Sequence, residues 1–151
     1  MKRKKLLKDI DLRRTIIDKA RIARLATADS EECKPHLVPV VFIFDGNNFY
    51  IPLDEKAKRS KPENLKRVKN IHANPNVALL IDEYNEDWKK IWFIMIQGNA
   101  SLINNIEHKQ NRLIQRIHRL LYEKYPQYLD IGIGEFCIMI QPQKVISWKN
   151  G

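Results

Sequence analysis

The stretch "HLVPVVFIFDGNNFYIPL", residues 36–53, decides the fold that the sequence predicts. Its first half, residues 36–44, is almost entirely apolar and rich in β-branched and aromatic side chains, which is typical of a strand in the middle of a sheet. The "DGNN" that follows, residues 45–48, is a strong turn signal because Asp-Gly stands between two apolar runs. We therefore predict an antiparallel hairpin made of a central strand and a second strand over residues 49–53.

Both strands of this hairpin contain a proline, Pro39 in the first and Pro52 in the second. Proline has no backbone N–H and cannot complete a ladder of hydrogen bonds, so it is confined to bulges and edge strands. Each proline therefore predicts a bulge or an unpaired edge, where another molecule can approach the backbone.

The segments on either side supply more strands and a few helices. An amphipathic helix is predicted near the N-terminus, followed by a strand over residues 22–29 and a loop that ends near Pro35. The apolar residues of that helix are Leu6, Leu7, Ile10, Ile16, Ile17 and Ala20. Beyond the hairpin, a strand is predicted over residues 74–82 and a long strand, broken at Gly98, over residues 91–103.

The C-terminal part predicts one more helix and two more strands. The helix has an apolar stripe and is ended by Pro126. Its stripe consists of Leu113, Ile114, Ile117, Leu120 and Leu121. Two short strands then turn near Gln141–Gln143. Six or seven antiparallel strands with few helices favour a closed or split barrel, and 151 residues suffice for one domain, residues 1–151, but not for two ordinary ones.

The bulk composition indicates an anionic partner. The net charge is +9 and the sequence pI is about 9.6, which suits nucleic acid, an acidic membrane or a phosphorylated small molecule, although such a charge can also serve solubility alone. The basic N-terminus lacks the apolar core of a signal peptide, and no run approaches the roughly 18 apolar residues of a membrane span, so a cytoplasmic protein is predicted. Cys33 and Cys137 form no metal-ligand pattern and are interpreted as reduced thiols, with a disulfide as the alternative.

The most concentrated charge lies in "DEKAKRSKPENLKRVKN", residues 54–70, where seven of seventeen side chains are Lys or Arg. Ser60, Pro62 and Glu63 have the pattern of a helix start. The buried side of the helix would consist of Leu65, Val68 and Ile71. Cations at a helix N-terminus cost roughly 0.3–1 kcal/mol each. Unless this is only a solvated basic loop, the cluster predicts a phosphate site at the free N–H groups of the helix.

Nucleic acid is the less favoured anion for this segment. Residues 54–70 contain no aromatic side chain, whereas proteins that bind single strands stack bases on such rings. No Ser/His/Asp arrangement and no cluster of metal ligands is visible in the sequence, so neither a catalytic side chain nor a metal site is predicted. His36, near the start of its strand, is a candidate pocket residue.

Several pieces of the sequence, taken in order, resemble a known family. They are "RLAT" before "PHLVPV", the basic segment after "FYIPL", "NP" before "NVALLID", and "GNA" in "WFIMIQGNASLI". Over residues 15–103 the chain resembles the pyridoxamine 5'-phosphate oxidase-like split barrels, and within them the branch that uses a deazaflavin, coenzyme F420. The resemblance implies a mainly β fold with flanking helices, a six- to seven-stranded antiparallel split β-barrel, and a homodimer with FMN or coenzyme F420 at its interface.

The resemblance also implies which residues bind the cofactor. The phosphate would meet Lys58, Arg59 and Lys61, with Lys56 next. The ring system would lie along Thr27, Ala28, Val38, Pro39 and Val40. Trp88 and Trp92 of the partner subunit would close the pocket, unless they serve only in packing. Related chains often carry an arginine two or three residues before the glycine of "IMIQG", a neighbourhood in which this chain has Met95 and Gln97.

The function implied is an oxidoreductase that transfers hydride to or from an unidentified small molecule. In such chemistry the cofactor carries the reaction and the protein positions it. The charge of +9 suits F420, which has a longer and more anionic tail than FMN. A flavin- or deazaflavin-binding carrier or sensor without turnover is the alternative.

Overall fold

The computed structural model describes residues 2–53, 65–105 and 111–150 of the chain. Five α-helices occur in these ranges, and a short 3₁₀ helix spans Trp88–Lys90. The helices are α1 (Lys2–Asp11), α2 (Arg14–Lys19), α3 (Lys66–Ala73), α4 (Arg112–Lys124) and α5 (Tyr128–Ile131). The longest of them, α4, has 13 residues, whereas a membrane-spanning helix requires about 20 apolar ones, so no helix in the described ranges could cross a bilayer.

Seven strands in the described part of the chain form one antiparallel sheet. They are β1 (Ala23–Ala28), β2 (Pro35–Val40), β3 (Ile43–Phe44), β4 (Phe49–Pro52), β5 (Asn76–Glu83), β6 (Trp92–Asn104) and β7 (Phe136–Lys149). Their order across the sheet is β2-β1-β5-β6-β7-β4-β3. The predicted mainly β architecture is therefore confirmed, as is the hairpin turn at residues 45–48, which joins β3 to β4.

The order of the strands shows that the sheet curls. β2 and β3 stand at opposite ends of the sheet, yet only Val41 and Phe42 separate them in sequence. Two linking residues allow Val40 and Ile43 to be at most about 11 Å apart, so the two edges of the sheet must approach each other. The result is a half-barrel, in agreement with the predicted split barrel, and its interior holds the main apolar core.

The prediction of one central strand over residues 36–44 is wrong. The segment divides into β2 and β3, and each lies at an edge of the sheet rather than in its middle. The edge position explains Pro39, which faces β1 through its register partner Arg24 and has no strand on its other side among the described residues. The unpaired edge predicted from Pro39 is thus confirmed.

The predicted break and turn in the last strands are also wrong. β6 runs through Gly98 without a break, and β7 is a single strand through residues 141–143. The register shifts between Gln97, which faces Lys144, and Gly98, which faces Pro142. Gln143 is therefore an extra residue in β7, and the sequence signal interpreted as a turn belongs to a β-bulge beside a proline.

The flanking helices agree with the sequence except at the N-terminus. There, two helices replace the one predicted, although Leu6, Ile10 and Ile17 are buried as expected. In α4 the buried side chains are Ile114, Ile117 and Leu121. In α3 they include Val68 and Ile71, while the predicted start of that helix at Ser60 lies outside the described residues. Both cysteines are free: Cys33 is exposed, and burial raises the pKa of the Cys137 thiol to about 12.

The hydroxyl of one tyrosine forms hydrogen bonds with the two-residue link between β2 and β3. The Tyr125 hydroxyl accepts a hydrogen bond from the backbone N–H of Phe42 at 3.2 Å. Its own proton can be donated to the carbonyl of Phe42 or to that of Arg21, both at 3.1 Å. The hydroxyl thereby satisfies buried backbone groups at the point where the chain leaves β2 and has not yet entered β3.

Removing this hydroxyl is expected to destabilise the protein. A Tyr125→Phe variant keeps the ring but leaves the buried N–H of Phe42 without its partner, which costs about 1–3 kcal/mol of the free energy of unfolding. Urea denaturation of the wild type, Tyr125→Phe and the control Tyr122→Phe measures the loss. Tyr122 is only partly buried on the same helix, and its variant should remain near the wild type. Equal stability of all three proteins would contradict this role of Tyr125.

Candidate functional site

The outer face of the sheet, directed away from the core, is apolar across five strands. One row of residues paired across the sheet consists of Pro39, Arg24, Leu80, Met95 and Ile146. The next row consists of Leu37, Ala26, Ala78, Gln97 and Lys144. Residues that face each other in a register point to the same side, so each row forms one continuous strip. Leu37 is 67% exposed.

The inner face of the same strands is mainly apolar as well. Leu25, Leu79 and Ile96 alternate with the outer residues along β1, β5 and β6 and are completely buried. An antiparallel sheet with one solvated face normally places polar side chains there. Because both faces are apolar in this sheet, its outer face is suited to being covered.

The outer rows contain two charged residues, of which Arg24 is neutralised on the same surface and Lys144 is exposed on β7. Arg24 Nη1 lies 2.7 Å from Asp82 Oδ1, which stands two residues beyond Leu80 on β5. Each of these two side chains is roughly 40% exposed, at 41% and 37%. The ion pair keeps the guanidinium on the surface and leaves Leu80, Met95 and Ile146 as a neutral strip.

An open cleft of about 450 Å³ indents this face at one end. It is lined by Ala26, Thr27, Ala28, Pro35, Asn76, Val77, Ala78, Gln97, Gly98 and Gln143. Small side chains of β1, β5 and β6 form its floor, and the bulge of β7 forms one wall. The cleft combines a flat, apolar base with three amide side chains, those of Asn76, Gln97 and Gln143.

Another amide close to the cleft has an unused acceptor. The Oδ1 atom of Asn99 is buried and has no hydrogen-bond partner among the described residues. Asn99 faces Asn76 in the register and stands two residues from Gln97 on the same side of β6. A buried acceptor without a partner costs about 1–3 kcal/mol, and this atom is closed to solvent in the isolated subunit.

The opposite side of β1 is occupied by a buried polar contact. Asn70 of α3 donates a hydrogen bond from Nδ2 to Oγ1 of Thr27 at 2.9 Å, and both residues are almost fully buried. His36 faces Thr27 across β1 and β2, and its Nδ1 atom is buried without a partner in the described ranges. The Thr27 hydroxyl therefore stabilises the packing of α3 against the sheet through this hydrogen bond.

The same helix brings the end of the basic segment towards the cleft. Lys66 begins α3, one residue after the helix N-cap Leu65. The pKa of the Asp29 carboxyl, which directly follows β1, is lowered by the backbone N–H of Glu32 and, to a smaller extent, by the positive charge of Lys66. The start of α3 thus lies near the end of β1 that lines the cleft.

The predicted cofactor residues fall into three groups. Thr27 and Ala28 line the cleft. Val38 and Val40 point inward and pack with the core, while Pro39 stands on the outer face beyond the cleft. Together these five therefore do not form one surface. The predicted phosphate ligands Lys56, Lys58, Arg59 and Lys61 lie outside the described residues.

The two predicted tryptophans lie far from the cleft within one subunit. Trp92 begins β6, five residues before Gln97, a separation of about 17 Å along a strand. Trp92 donates from Nε1 to Glu83 at 2.8 Å and packs partly against the core. Trp88 is 65% exposed and donates from Nε1 to the Tyr84 hydroxyl at 3.4 Å. Any contact of theirs with a molecule in a cleft would have to be made in another copy of the chain.

The family model described as pyridoxamine 5'-phosphate oxidase matches residues 11–149, which is nearly the whole chain. The chain belongs to this family. None of the curated protein sequences matches the chain at a significant level.

Solved structures with the same fold include proteins of different stated roles. HutZ, the heme storage protein of Vibrio cholerae, is 16% identical, with a TM-score of 0.66 over 97% of this chain and 95% of its own. An FAD-binding protein of Mesorhizobium loti is 20% identical, with a TM-score of 0.62 over 90% of this chain and 91% of its own. General Stress Protein 26 of Bacillus anthracis is 22% identical, with a TM-score of 0.58 over 94% and 92%. At these identities the likeness establishes the fold alone.

Sequence reasoning missed most of the amide side chains of the cleft. The sequence singles out Gly98 as a predicted break and Gln97 as a departure from related chains, but it gives no role to Asn76, Asn99 or Gln143. The signal available for Gln143 was Pro142 within an apolar strand, which indicates a bulge as readily as a turn. Asn76 directly follows the family piece "NP", and Asn99 is the asparagine of "GNA"; asparagine is depleted in strands, which was the available signal.

Proposed function

We propose that the protein binds a flavin-type cofactor, FMN or coenzyme F420, in the cleft at a homodimer interface and transfers hydride to or from a small molecule. Family membership and the FAD-binding relative of the same fold support the flavin. The observation that carries the proposal is the cleft itself, a flat apolar floor with amide groups at its edge. A flavin ring has an apolar body and a pyrimidine end that both donates and accepts hydrogen bonds.

The residues of the cleft fit such a ring. Ala26, Ala28 and Ala78 offer a surface without bulky side chains, and Gln97 and Gln143 offer donors and acceptors. When bound, the cofactor supplies the hydride chemistry, and these residues would hold and orient it.

The phosphate of the cofactor is proposed to meet Lys58, Arg59 and Lys61, with Lys56 close by. They belong to the segment that leads into α3, whose first residue lowers the pKa of Asp29 beside the cleft. The chain therefore re-enters the described structure near the cleft, which supports this assignment. Trp88 and Trp92 are proposed to reach the cofactor from the partner subunit.

A second copy of the chain is proposed to cover the outer face. The supporting observation is the neutral strip of Leu80, Met95 and Ile146, flanked by the exposed Leu37 and Pro39. Burial of such apolar surface contributes about 25 cal/mol per Å². A two-fold pairing through this face would also enclose the shallow cleft, which a single subunit leaves open.

Placing a charge on the outer face tests the dimer. A Met95→Arg variant is expected to shift the protein from dimer to monomer in sedimentation velocity, since a buried unpaired guanidinium is strongly disfavoured. Ser101→Arg, on an exposed position of the same strand, serves as the control and should remain dimeric. A wild type that sediments as a monomer, or a Met95→Arg protein that remains a dimer, would contradict the proposed interface.

The cofactor is tested on the purified protein. We expect a visible absorption band of a flavin or of a deazaflavin, and saturable binding of one cofactor per chain when the apoprotein is titrated with FMN, FAD or F420. Haem, the ligand in the description of HutZ, is titrated for comparison. Binding of haem alone would contradict the proposal. Equal or tighter binding of FMN than of F420 would remove the preference for F420.

Turnover is a separate question from binding. A carrier or sensor would bind the same cofactor without using it. Stopped-flow measurement of the reoxidation of the reduced cofactor by candidate acceptors distinguishes the two, because only an enzyme would accelerate reoxidation by a specific acceptor. We propose an enzyme, and reoxidation rates identical to those of the free cofactor for every acceptor would favour the carrier.

A further inference from the structure

A second and larger cavity lies at the end of the sheet opposite to the cleft. Its volume is about 600 Å³, within the range of small-molecule sites. It opens between the link from α1 to α2 and the last residues of β7, Ser147–Lys149. This end of β7 pairs with β6 only, among the described strands, because β4 pairs no further than Ile140.

The walls of this cavity are unusually apolar for an exposed site. They include Leu12, Ile16, Trp92, Phe93 and Trp148. The rings of Phe93 and Trp148 are stacked, with 6.2 Å between centroids and 20° between planes. Leu12 is 75% exposed and Trp148 is 46% exposed. Contact of this apolar surface with water is unfavourable, and a bound apolar group would remove it from water.

Trp92 is fixed so that its ring forms a wall. Its Nε1 donates to Glu83 Oε2 at 2.8 Å, which satisfies the polar atom of the indole. The same side chain also lines a neighbouring cavity of about 410 Å³, where Glu83 and Asp82 lie. Two acidic side chains of this end, Asp82 and Glu83, thus line the neighbouring cavity and not the larger one.

The charged side chains that line the larger cavity all carry the same sign. They are Arg13, Lys89, Lys90 and Lys149, and none of the described lining residues is acidic. Within the described ranges the three lysines are exposed and have no carboxylate within 4.0 Å. Four cations around an apolar cavity produce a local positive potential that attracts an anion.

We infer that this cavity binds an amphipathic organic anion, a molecule with an aromatic or aliphatic body and a carboxylate, sulfonate or phosphate group. The apolar walls would receive the body, and the lysines at the rim would receive the charge. Within one subunit the cavity and the cleft share no lining residue, and Trp92 is the one wall residue that is also proposed to reach the cofactor of a partner subunit.

A pair of matched dyes tests both halves of the inference. 1-Anilinonaphthalene-8-sulfonate carries the sulfonate, and N-phenyl-1-naphthylamine has the same aromatic body without it. We expect saturable binding of one sulfonated dye per chain, quenching of tryptophan fluorescence by energy transfer, and an affinity about 10-fold higher than that of the neutral dye, which corresponds to about 1.4 kcal/mol.

Charge reversal at the rim locates the site. Lys89→Glu/Lys149→Glu is expected to weaken binding of the sulfonated dye at least about 10-fold and to leave the neutral dye unaffected. Arg112→Glu/Arg119→Glu, at exposed positions of α4, changes the net charge equally and should have no effect. Circular dichroism checks that both variants are folded.

Three results would overturn the inference. The first is an equal loss of affinity in the two charge-reversal variants, which would indicate a general effect of net charge. The second is equal affinity for the two dyes. The third is stoichiometric displacement of the dye by FMN or F420, which would make the cavity part of the cofactor site.

Discussion

A Gly98→Val variant is expected to lose about 3 kcal/mol or more of the free energy of unfolding. A Cβ atom at residue 98 would lie 2.3 Å from the carbonyl oxygen of Gln141 and 3.2 Å from Cγ2 of Ile140. The first contact is with the backbone of the paired strand, which cannot rotate away as a side chain can. The two longest strands would have to separate at the bulge, and overpacking of this kind costs about 1–3 kcal/mol or more.

The measurement is urea denaturation of Gly98→Val beside Gly98→Ala and Ser101→Val. Ser101 is exposed on the same strand, and valine suits a strand, so the control should remain within about 0.5 kcal/mol of the wild type. Gly98→Ala should lie between the two, since its single methyl meets the same oxygen. A Gly98→Val protein as stable as the control would mean that β6 and β7 do not approach so closely.

Residue 98 also connects stability with the proposed function. Gly98 lines the cleft, and its neighbours Gln97 and Asn99 direct amides to the same side of β6. The bulge of β7 beside this glycine places Gln143, the extra residue between Pro142 and Lys144, along the same cleft. A variant that forces the strands apart is therefore expected to weaken cofactor binding as well as folding.

The local elements of the fold could be predicted from the sequence because their signals are local. "DGNN" predicts its turn, and Pro126 ends α4. The strand over residues 36–44 could not be divided correctly, since a run of apolar residues at the edge of a curled sheet looks like a central strand. Only the pairing with distant strands shows that Val41 and Phe42 join two edges.

The cleft was harder to predict than the fold for the same reason. Ala26, Ala78 and Gly98 become neighbours only through the registers of β1, β5 and β6. The bulge that brings Gln143 to the cleft depends on the register between β6 and β7. Residues chosen along two adjacent strands, such as Val38 and Val40, therefore included side chains that the alternation of β2 directs into the core.

Removing Lys58, Arg59 and Lys61 together is expected to weaken the binding of FMN by about 100-fold or more. Hydrogen bonds to charged groups contribute about 1.5–3 kcal/mol each, and 100-fold corresponds to about 2.8 kcal/mol. The triple alanine variant should leave the affinity for riboflavin unchanged, because riboflavin has the same ring and no phosphate. Flavin fluorescence titration of both ligands separates the phosphate contribution from that of the ring.

A matched variant separates a specific phosphate site from the general charge of the protein. Lys4, Lys5 and Lys8 are exposed on α1, and their replacement by alanine removes the same three charges. At physiological ionic strength, charges farther than about 8–10 Å from a ligand are largely screened, so this variant should bind FMN within about 3-fold of the wild type. If the two triple variants lose affinity equally, the basic segment acts only through net charge. If the first variant weakens riboflavin as much as FMN, the segment supports the ring or the fold rather than the phosphate. Only a loss confined to the first variant and to the phosphorylated ligand agrees with a phosphate site at the entrance to α3.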